Sequence, residues 1–329
     1  MSVGDLEQRI KADYGRGNYQ DAIAATEELL ALALHPADRA WAMSDYGELL
    51  ILCGRRKEAE RVLNGALELL LTCDSDSPNI FAQGKCLLWL SRLSGDLVQM
   101  AHARDAFEKL RSSDIDRLMR ASVLSLLAEA HSALGALEEA EAVYRRLEEE
   151  AADAKVRLRA IIGRAAVLLE MGRAAEARAA CEVVVACSPP PELLSRLHCV
   201  LGQAEEACEA WESAAVSFQQ SLNSLVSDPE LRNDCEFRHD LYRHLGRSLY
   251  ETGQWDTALS MCQDLLAEID AQHRHFVEGQ MILGHIAAVR GSPDVALTHY
   301  RCALSSPVLS AEERAAIERA LLATPSRRQ

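Results

Sequence analysis

Cysteine and histidine side chains that lie close together in the sequence are the first candidates for chemistry. Cys235 and His239 are four residues apart, and His273 and His275 are two apart. Residues at i and i+4 share one face of a helix, so Cys235 and His239 could supply two ligands to a zinc ion. A zinc site needs three or four ligands, and ten histidines with ten cysteines produce such pairs by chance. We therefore expect surface histidines or hydrogen-bonded interior histidines, with no metal and no cofactor.

Short catalytic motifs are absent from the sequence. It has no GxSxG nucleophile elbow, no glycine-rich phosphate loop that ends in Lys-Ser or Lys-Thr, and no HExxH zinc motif. Many active sites have no short motif, so an enzyme or an enzyme subunit stays open as a third alternative. We predict a protein that is not an enzyme and that has no catalytic residues.

The charge balance of the chain is strongly acidic. Its 329 residues carry a formal net charge of −15 at pH 7. A nucleic-acid binder needs a basic stripe that displaces counterions from phosphates, and an anionic membrane repels an acidic protein. No apolar run reaches the ~20 residues that cross a bilayer, and residues 1–5 do not read as a leader. We expect a soluble, cytoplasmic protein that binds neither nucleic acid nor membranes.

The ten cysteines include no CxxC pair and are spread over predicted helices. This distribution argues against a disulfide framework and favours small, buried hydrophobic residues. The expectation covers, among others, Cys53, Cys86, Cys181, Cys208, Cys262 and Cys302.

A recurring motif organises the chain: Gly is followed two residues later by a bulky or long side chain and five residues later by Ala. The Gly should end one helix in a left-handed conformation, and the Ala should lie early in the next helix. In a seventh copy Glu209 replaces the Gly, and in an eighth, which starts at Gly95, Met100 replaces the Ala. The six complete copies are residues 17–22, 54–59, 135–140, 172–177, 253–258 and 291–296.

A second small residue precedes several of these alanines by twelve positions. Two antiparallel helices that cross at a tight angle need small side chains where their backbones approach. The pairs are Gly47 with Ala59, Ala128 with Ala140, Ala165 with Ala177, Gly202 with Ala214, Gly246 with Ala258, and Gly284 with Ala296.

This arrangement resembles the tetratricopeptide repeat, whose motif runs aromatic, two residues, Leu-Gly, two residues, Tyr, then Ala, three residues, Phe, and later Pro. Residues 242–246 supply the first half, and Ala214 with Phe218 supplies the second. Intervals between successive copies are 37 to 44 residues, longer than the family's 34 and similar in period to regulatory solenoids. The resemblance implies an all-α fold: a right-handed superhelical solenoid of about eight helix-turn-helix repeats with a C-terminal capping helix.

We expect one continuous solenoid over residues 1–323 and a disordered tail at 324–329. In the seventh repeat, Ser227 and Asp228 should cap a helix that starts at Pro229 and runs to about Thr252. A capping box at residues 310–313 should open the last helix. The predicted repeats are 4–35, 37–75, 79–113, 117–152, 155–188, 191–227, 229–271 and 273–306, followed by a cap at 310–322.

In this family the first helix of each repeat lines a concave groove that holds peptides or partner helices. Arg243 and Arg247, one helical turn apart beside Tyr250, could bind an acidic peptide through forked hydrogen bonds. The Lys and Asn positions of the family's chaperone-tail clamp are missing, so we do not expect that ligand. By helical phase, the candidate groove residues are Ser125, Glu129, Ser132, Arg196, Cys199, Gln203, Asp240, Arg243, Arg247, Tyr250, Met281 and His285.

The leading hypothesis is a non-catalytic scaffold or adaptor that binds a peptide or a partner helix in this groove. The alternative is a regulatory sensor, whose superhelix changes pitch when it binds a small peptide or a response regulator. An enzyme or enzyme subunit comes third, because an open solenoid rarely encloses a pocket with perturbed titratable groups.

Overall fold

The computed structural model describes residues 2–32, 34–232 and 234–324, and within these ranges it contains helices and no β-strand. The predicted all-α repeat fold is confirmed: sixteen helices follow one another in helix-turn-helix order, and one more helix closes the array. The helices are α1 (Val3–Gly15), α2 (Tyr19–Leu30), α3 (Pro36–Leu52), α4 (Arg56–Leu70), α5 (Ser77–Ser94), α6 (Leu97–Arg111), α7 (Arg117–Ala133), α8 (Leu137–Glu150), α9 (Ala154–Glu170), α10 (Ala174–Ala186), α11 (Pro191–Ala207), α12 (Trp211–Ser224), α13 (Cys235–Glu251), α14 (Trp255–Glu268), α15 (Phe276–Val289), α16 (Pro293–Leu304) and α17 (Ala311–Ala323).

The contacts divide the chain into two compact units, and the continuous solenoid over residues 1–323 stays a prediction. Unit 1 consists of Met1–Leu193 with Val226–Asn233, and unit 2 consists of Leu194–Leu225 with Asp234–Gln329. In unit 1 each odd-numbered helix packs on the helix that follows it, and that helix packs on the next odd-numbered one. In unit 2, α13 to α17 pack in the same order. No helix in the described ranges is both long enough and apolar enough to span a membrane.

The turns between paired helices follow the predicted motif. All seven of its glycines adopt positive φ angles between +71° and +76°, and Glu209, the predicted substitute, has φ +58°. The helix ends there with a backbone hydrogen bond from Ala210 N to Glu205 O at 2.9 Å, just as Asn18 N donates to Asp13 O in the first turn. A left-handed residue is therefore needed at Glu209, although its Cβ makes that conformation costly.

Close approach within a pair occurs at the predicted small residues. A Cβ on Gly47 would lie 2.4 Å from Leu63, and a Cβ on Gly284 would lie 2.3 Å from Tyr300. At Gly202 the corresponding neighbour is Phe218, at 2.8 Å. In each case the neighbour follows the motif's alanine by four residues. The side chain that occupies the gap thus lies sixteen positions after the small residue. The alanine twelve positions after the small residue is fully buried.

One predicted helix start is wrong. Helix α13 begins at Cys235, where the Asp234 carboxylate accepts the Phe237 N–H at 3.1 Å. Pro229 does not start a helix, because the Asp228 carboxylate instead accepts the N–H groups of Glu230 and Leu231 and closes a tight turn. The turn packs on unit 1, to which these residues belong.

The C-terminal helix begins with the predicted capping box. Glu313 N donates to Ser310 Oγ at 3.2 Å, and Ser310 N donates to the Glu313 carboxylate at 2.8 Å. Thr324, predicted to belong to the tail, ends α17 and donates its hydroxyl to Ala320 O at 2.8 Å. Residues 325–329 lie outside the described residues.

The expected burial of the cysteines holds in part. Cys86, Cys181 and Cys262 are buried, and burial raises the pKa of the Cys262 thiol to about 12. Cys208 is exposed because it lies at the end of α11, directly before the turn at Glu209. The predicted burial of Cys208 was wrong because the ends of helices project from the packed interior.

We predict that Glu209→Gly stabilises the protein by about 1 kcal/mol, because glycine removes the steric cost of the left-handed conformation. The matched control is Glu212→Gly, an exposed position within α12, which should destabilise by about 1 kcal/mol. Chemical denaturation of both variants measures the two effects. A lower unfolding midpoint for Glu209→Gly than for the wild type would contradict the assignment of strain to this turn.

Candidate functional site

The odd-numbered helices of each unit form one side of it, which we call the first-helix face. In unit 1 this face is built by α1, α3, α5, α7 and α9, and in unit 2 by α11, α13 and α15. Direct contacts join α3 to α5, α5 to α7, α7 to α9, and α13 to α15. The second helices carry the bulky residues of the close contacts.

A buried ion pair crosses the first three repeats of unit 1. Lys85 Nζ lies 2.8 Å from a Glu48 carboxylate oxygen and 2.7 Å from Asp45 Oδ1, and Tyr14 Oη donates to the other Glu48 oxygen at 2.8 Å. The Lys85 side chain is 13% exposed and that of Glu48 is 16%. Burial opposes the charge on Lys85, but Asp45 and Glu48 hold its pKa above the usual value. The ammonium is therefore fixed as a cation.

A cavity of about 670 Å³ lies beside this ion pair. Its wall includes Trp41, whose ring stacks on Phe81 with a 5.7 Å centroid separation. Acidic groups outnumber basic ones around it, four carboxylates against two lysines. The lining residues are Glu7, Ile10, Lys11, Tyr14, Thr26, Leu29, Leu34, Asp38, Trp41, Ala42, Asp45, Glu48, Leu49 and Lys85.

Sequence reasoning missed this cavity, since its candidates begin in the fourth repeat. A signal was available in the spacing: Tyr14, Glu48 and Lys85 follow one another at intervals of 34 and 37 residues, three or four residues less than the 37 and 41 between the corresponding motif copies. Such residues lie about one helical turn from equivalent positions on neighbouring first helices, so complementary side chains at that spacing can meet. The same signal joins Arg92 to Glu129, which form an ion pair between α5 and α7.

The predicted groove residues of the fourth repeat lie in this band of bridging contacts. Glu129 is engaged by Arg92, and Ser132 Oγ lies 3.5 Å from a Glu170 carboxylate oxygen on α9. Ser125 is half-buried on the same helix. Glu129 and Ser132 therefore link neighbouring repeats within unit 1.

The arginines predicted to hold an acidic ligand already have carboxylate partners. Arg243 Nη1 lies 3.1 Å from Glu278, and Arg247 Nη1 lies 3.5 Å from Glu206 and 3.8 Å from Glu278. His244 also pairs with Glu206. An acidic peptide would have to displace these glutamates, so the arrangement does not support the predicted acidic preference at the seventh repeat.

Glu206 is the most enclosed carboxylate of this network. Burial opposes its ionisation, but the hydrogen bond with His244 and the charges of Arg247 and Arg243 hold its pKa below the usual value. Asp240 behaves similarly, since His275 and Arg274 outweigh its burial and lower its pKa. Both carboxylates are therefore ionised at neutral pH.

The remaining candidates of unit 2 are divided between surface and core. Tyr250 and His285 lie with their ring centroids 5.9 Å apart, and burial lowers the pKa of His285. Gln203, Arg196 and Met281 are half-buried. Cys199 is 5% exposed and packs among the core residues of α12 and α13, so its prediction as a groove residue is wrong. Along α11, Cys199 lies one position away from the residues of the open face.

Three side chains are close enough to share a metal ion: Glu236 and His239 of α13 and His273 of the α14–α15 loop. Their candidate ligand atoms lie within 4.8 Å of one another. Cys235, the partner that the sequence suggested for His239, is exposed and is not a member of this cluster.

Comparison with known proteins agrees with the geometry. A family model described as tetratricopeptide repeat matches residues 40–64 and 121–146, and another of the same description matches residues 240–268. These ranges fall on the pairs α3–α4, α7–α8 and α13–α14. The chain contains tetratricopeptide repeats at these ranges. No curated protein matches this tetratricopeptide-repeat chain in sequence.

Two solved structures share the fold at low sequence identity. A chain of the APC/C hetero-tetramer Cut9–Hcn1 aligns with a TM-score of 0.71 and 14% identity, over 96% of this chain and 55% of that one. BtubC from P. vanneervenii aligns with a TM-score of 0.50 and 18% identity, over 72% of this chain and 95% of its own. This tetratricopeptide-repeat protein thus spans about half of the Cut9–Hcn1 chain, and the likeness concerns the fold alone.

We predict a pH-dependent effect for Glu206→Gln. The folded pKa of Glu206 lies below its ordinary value of 4.5, so its stabilising contribution is complete above pH 4.5 and is lost as the pH falls through the folded pKa. At pH 7 the variant should be less stable than the wild type by about 2 kcal/mol, because Arg247 and His244 lose their charged partner.

Urea denaturation between pH 7 and pH 3 checks this, with the exposed Glu212→Gln of α12 as the control. The stability difference between Glu206→Gln and the wild type should shrink below pH 4.5, and the control should show almost no difference at any pH. A difference that stays constant down to pH 3 would rule out an ionised Glu206 as its origin.

Proposed function

We propose that this tetratricopeptide-repeat protein is a non-catalytic interaction scaffold that binds an extended peptide or a partner helix at the first-helix face of unit 1. The observation that carries the proposal is the cavity of about 670 Å³ between α1, α2, α3 and α5. It combines an apolar wall with a rim of charged groups, which is the surface that an amphipathic peptide needs.

The lining of the cavity favours a particular peptide chemistry. Trp41, Ile10 and Leu29 offer an apolar wall for an inserted side chain. Lys85 is already neutralised by two carboxylates, so the rim presents net negative charge through Glu7 and Asp38. A ligand with a large apolar side chain next to Lys or Arg would complement this site. The protein's net charge of −15 also favours a basic partner.

The ionisation of the same residues supports a binding role over catalysis. The cavity lining in the described part of the chain contains no Cys, His or Ser. Lys85 has a raised pKa, and burial with the carboxylates of Glu48 and Glu230 raises the pKa of Tyr14. Neither group is available as a nucleophile or base at neutral pH, since each keeps its proton.

The test begins with peptides selected by phage display on the full chain. Their affinities are then measured by fluorescence polarisation for the wild type and for a Glu7→Lys/Asp38→Lys variant. We expect this variant to lose at least about 10-fold in affinity, because a basic peptide meets two reversed charges. The matched control is Glu60→Lys/Glu68→Lys, which makes the same change of net charge at exposed positions of α4.

An unchanged affinity for the control supports binding at the cavity. If both double variants lose affinity equally, the interaction is a general charge effect and the cavity is not the binding site. If peptides bind Glu7→Lys/Asp38→Lys as well as they bind the wild type, the proposal fails.

A regulatory sensor is the second candidate function, because part of the chain lies across unit 1 in the manner of a bound peptide. Arg232 Nη2 donates to Gly17 O at 2.7 Å, and Glu230 Oε1 lies 3.0 Å from Arg159 Nη2 on α9. Leu231, between them, is buried. Residues 228–232 therefore connect the α1–α2 turn to the first helix of the fifth repeat.

This segment lies near the cavity, since the charge of Glu230 contributes to the raised pKa of Tyr14, one of the lining residues. A peptide or a response regulator that binds there would compete with the segment and release its contacts. The chain would then convert ligand binding into a local rearrangement.

We expect a Glu230→Ala/Arg232→Ala variant to bind the selected peptides several-fold more tightly, because the competing contacts are removed. Arg104→Ala/Asp105→Ala, which removes an exposed ion pair from α6, is the control and should leave the affinity unchanged. Equal affinity of the wild type and the Glu230/Arg232 variant would eliminate the sensor function and leave the scaffold function intact.

A further inference from the structure

We propose that Glu236, His239 and His273 form a binding site for a divalent transition-metal ion of the zinc class. Glu236 and His239 are three residues apart on the first turns of α13, so they share one face of the helix. His273 reaches them from the loop between α14 and α15. The three candidate ligand atoms lie within 4.8 Å of one another.

The unsatisfied nitrogens of the two imidazoles are the strongest argument. His239 is 6% exposed, and its Nδ1 has no hydrogen-bond partner. His273 Nε2 is also buried without a hydrogen bond, and it lies 3.4 Å from Oε1 of Glu236, another of the three candidate ligands. Burying an unsatisfied polar atom costs about 1–3 kcal/mol. A metal ion coordinated by both nitrogens would remove that cost.

The surroundings of His239 fit a metal ligand. His239 Nε2 lies 3.1 Å from Glu268 Oε2, and Arg238 Nη2 donates to the same oxygen at 2.7 Å. An ionised Glu268 accepts a hydrogen bond from the protonated Nε2 of His239. The lone pair of the imidazole is then on Nδ1. A carboxylate that orients a histidine in this way is the usual outer partner of a metal-binding imidazole.

Binding requires small adjustments at the other two ligands. Zinc bonds of about 2.0–2.2 Å bring tetrahedral ligand atoms to about 3.5 Å from one another. Glu236 is exposed and can close this gap by rotating its side chain, since Arg274, at 3.7 Å, has a nearer partner in Asp240 at 3.0 Å. His273 Nδ1, which accepts the His275 N–H at 3.2 Å, must carry the proton when Nε2 coordinates the ion. The loop then exchanges that hydrogen bond for a metal bond.

The donor set defines the class of ion. Two imidazole nitrogens and one carboxylate suit Zn²⁺, Co²⁺ or Ni²⁺, whereas Ca²⁺ and Mg²⁺ prefer sites made of oxygen atoms. Three protein ligands leave a fourth position for water or for a side chain of a bound partner. The ion would tie the α14–α15 loop to the start of α13 and so stabilise unit 2.

Titration of the metal-free full chain with zinc, followed by calorimetry, tests the proposal. We expect one ion per chain with a Kd below about 10 µM, no binding of Mg²⁺ or Ca²⁺, and a higher thermal unfolding midpoint in zinc. Cobalt(II) should give visible absorption bands typical of four-coordinate geometry. His239→Gln/His273→Gln should lower zinc affinity more than about 100-fold, and Glu268→Gln about 10-fold.

The control His35→Gln/His102→Gln also removes two histidines, both exposed, and should retain full affinity. Cys235→Ser should do the same, which separates this site from binding by the neighbouring thiol. Circular dichroism establishes that each variant is folded. If the double histidine variant does not fold, Glu236→Gln at an exposed position decides, and we expect at least about a 10-fold loss.

Zinc affinity that is unchanged in Glu236→Gln and in folded His239→Gln/His273→Gln would overturn the site. A wild-type Kd weaker than about 100 µM would overturn it as well.

Discussion

Close approach of the two backbones within a helix pair is the constraint on which the rest of this structure depends. Gly47, Gly202 and Gly284 leave room for one bulky side chain of the second helix to lie against the first. Leu63, Phe218 and Tyr300 fill these gaps and are almost fully buried. These packing residues belong to the second helices, and the proposed binding surface lies mainly on the first helices.

The first-helix faces are held together by a second kind of contact, between residues 35 to 37 positions apart on neighbouring first helices. Lys85 with Glu48 in unit 1, and Arg243 with Glu278 in unit 2, join neighbouring first helices through opposite charges. Such pairs fix the repeats relative to their neighbours, and they also occupy charges that a ligand could otherwise use. The two faces therefore differ: the arginines of unit 2 are engaged, whereas unit 1 keeps an open cavity with an acidic rim.

Features set by local sequence were predictable. The left-handed turn at Glu209 and the capping box at Ser310 follow from a few neighbouring residues, and both are present. The burial of Cys199 was missed because one position of helical phase separates the core from the open face. Pro229 was misread because its turn is stabilised by a contact 215 residues away in the chain, between Arg232 and Gly17.

The candidate sites needed more than one helix at a time. Residues of four helices line the cavity, so the sequence of a single repeat does not indicate it. His239 and His273 are 34 residues apart, as are Tyr14 and Glu48. Comparison of positions at that spacing would have brought both pairs together, whereas comparison along one helix led to Cys235 instead.

The most direct test of the central claim is site-specific photo-crosslinking in extracts of the source cell. A photoreactive residue is placed in turn at Lys11 and Asp38, on the first helices beside the cavity, and at Glu60 and Glu68, on the exposed side of the second helix α4. We expect the same partner protein to crosslink at the two first-helix positions and at neither second-helix position. Crosslinking of that partner from α4, with none from positions 11 and 38, would contradict it.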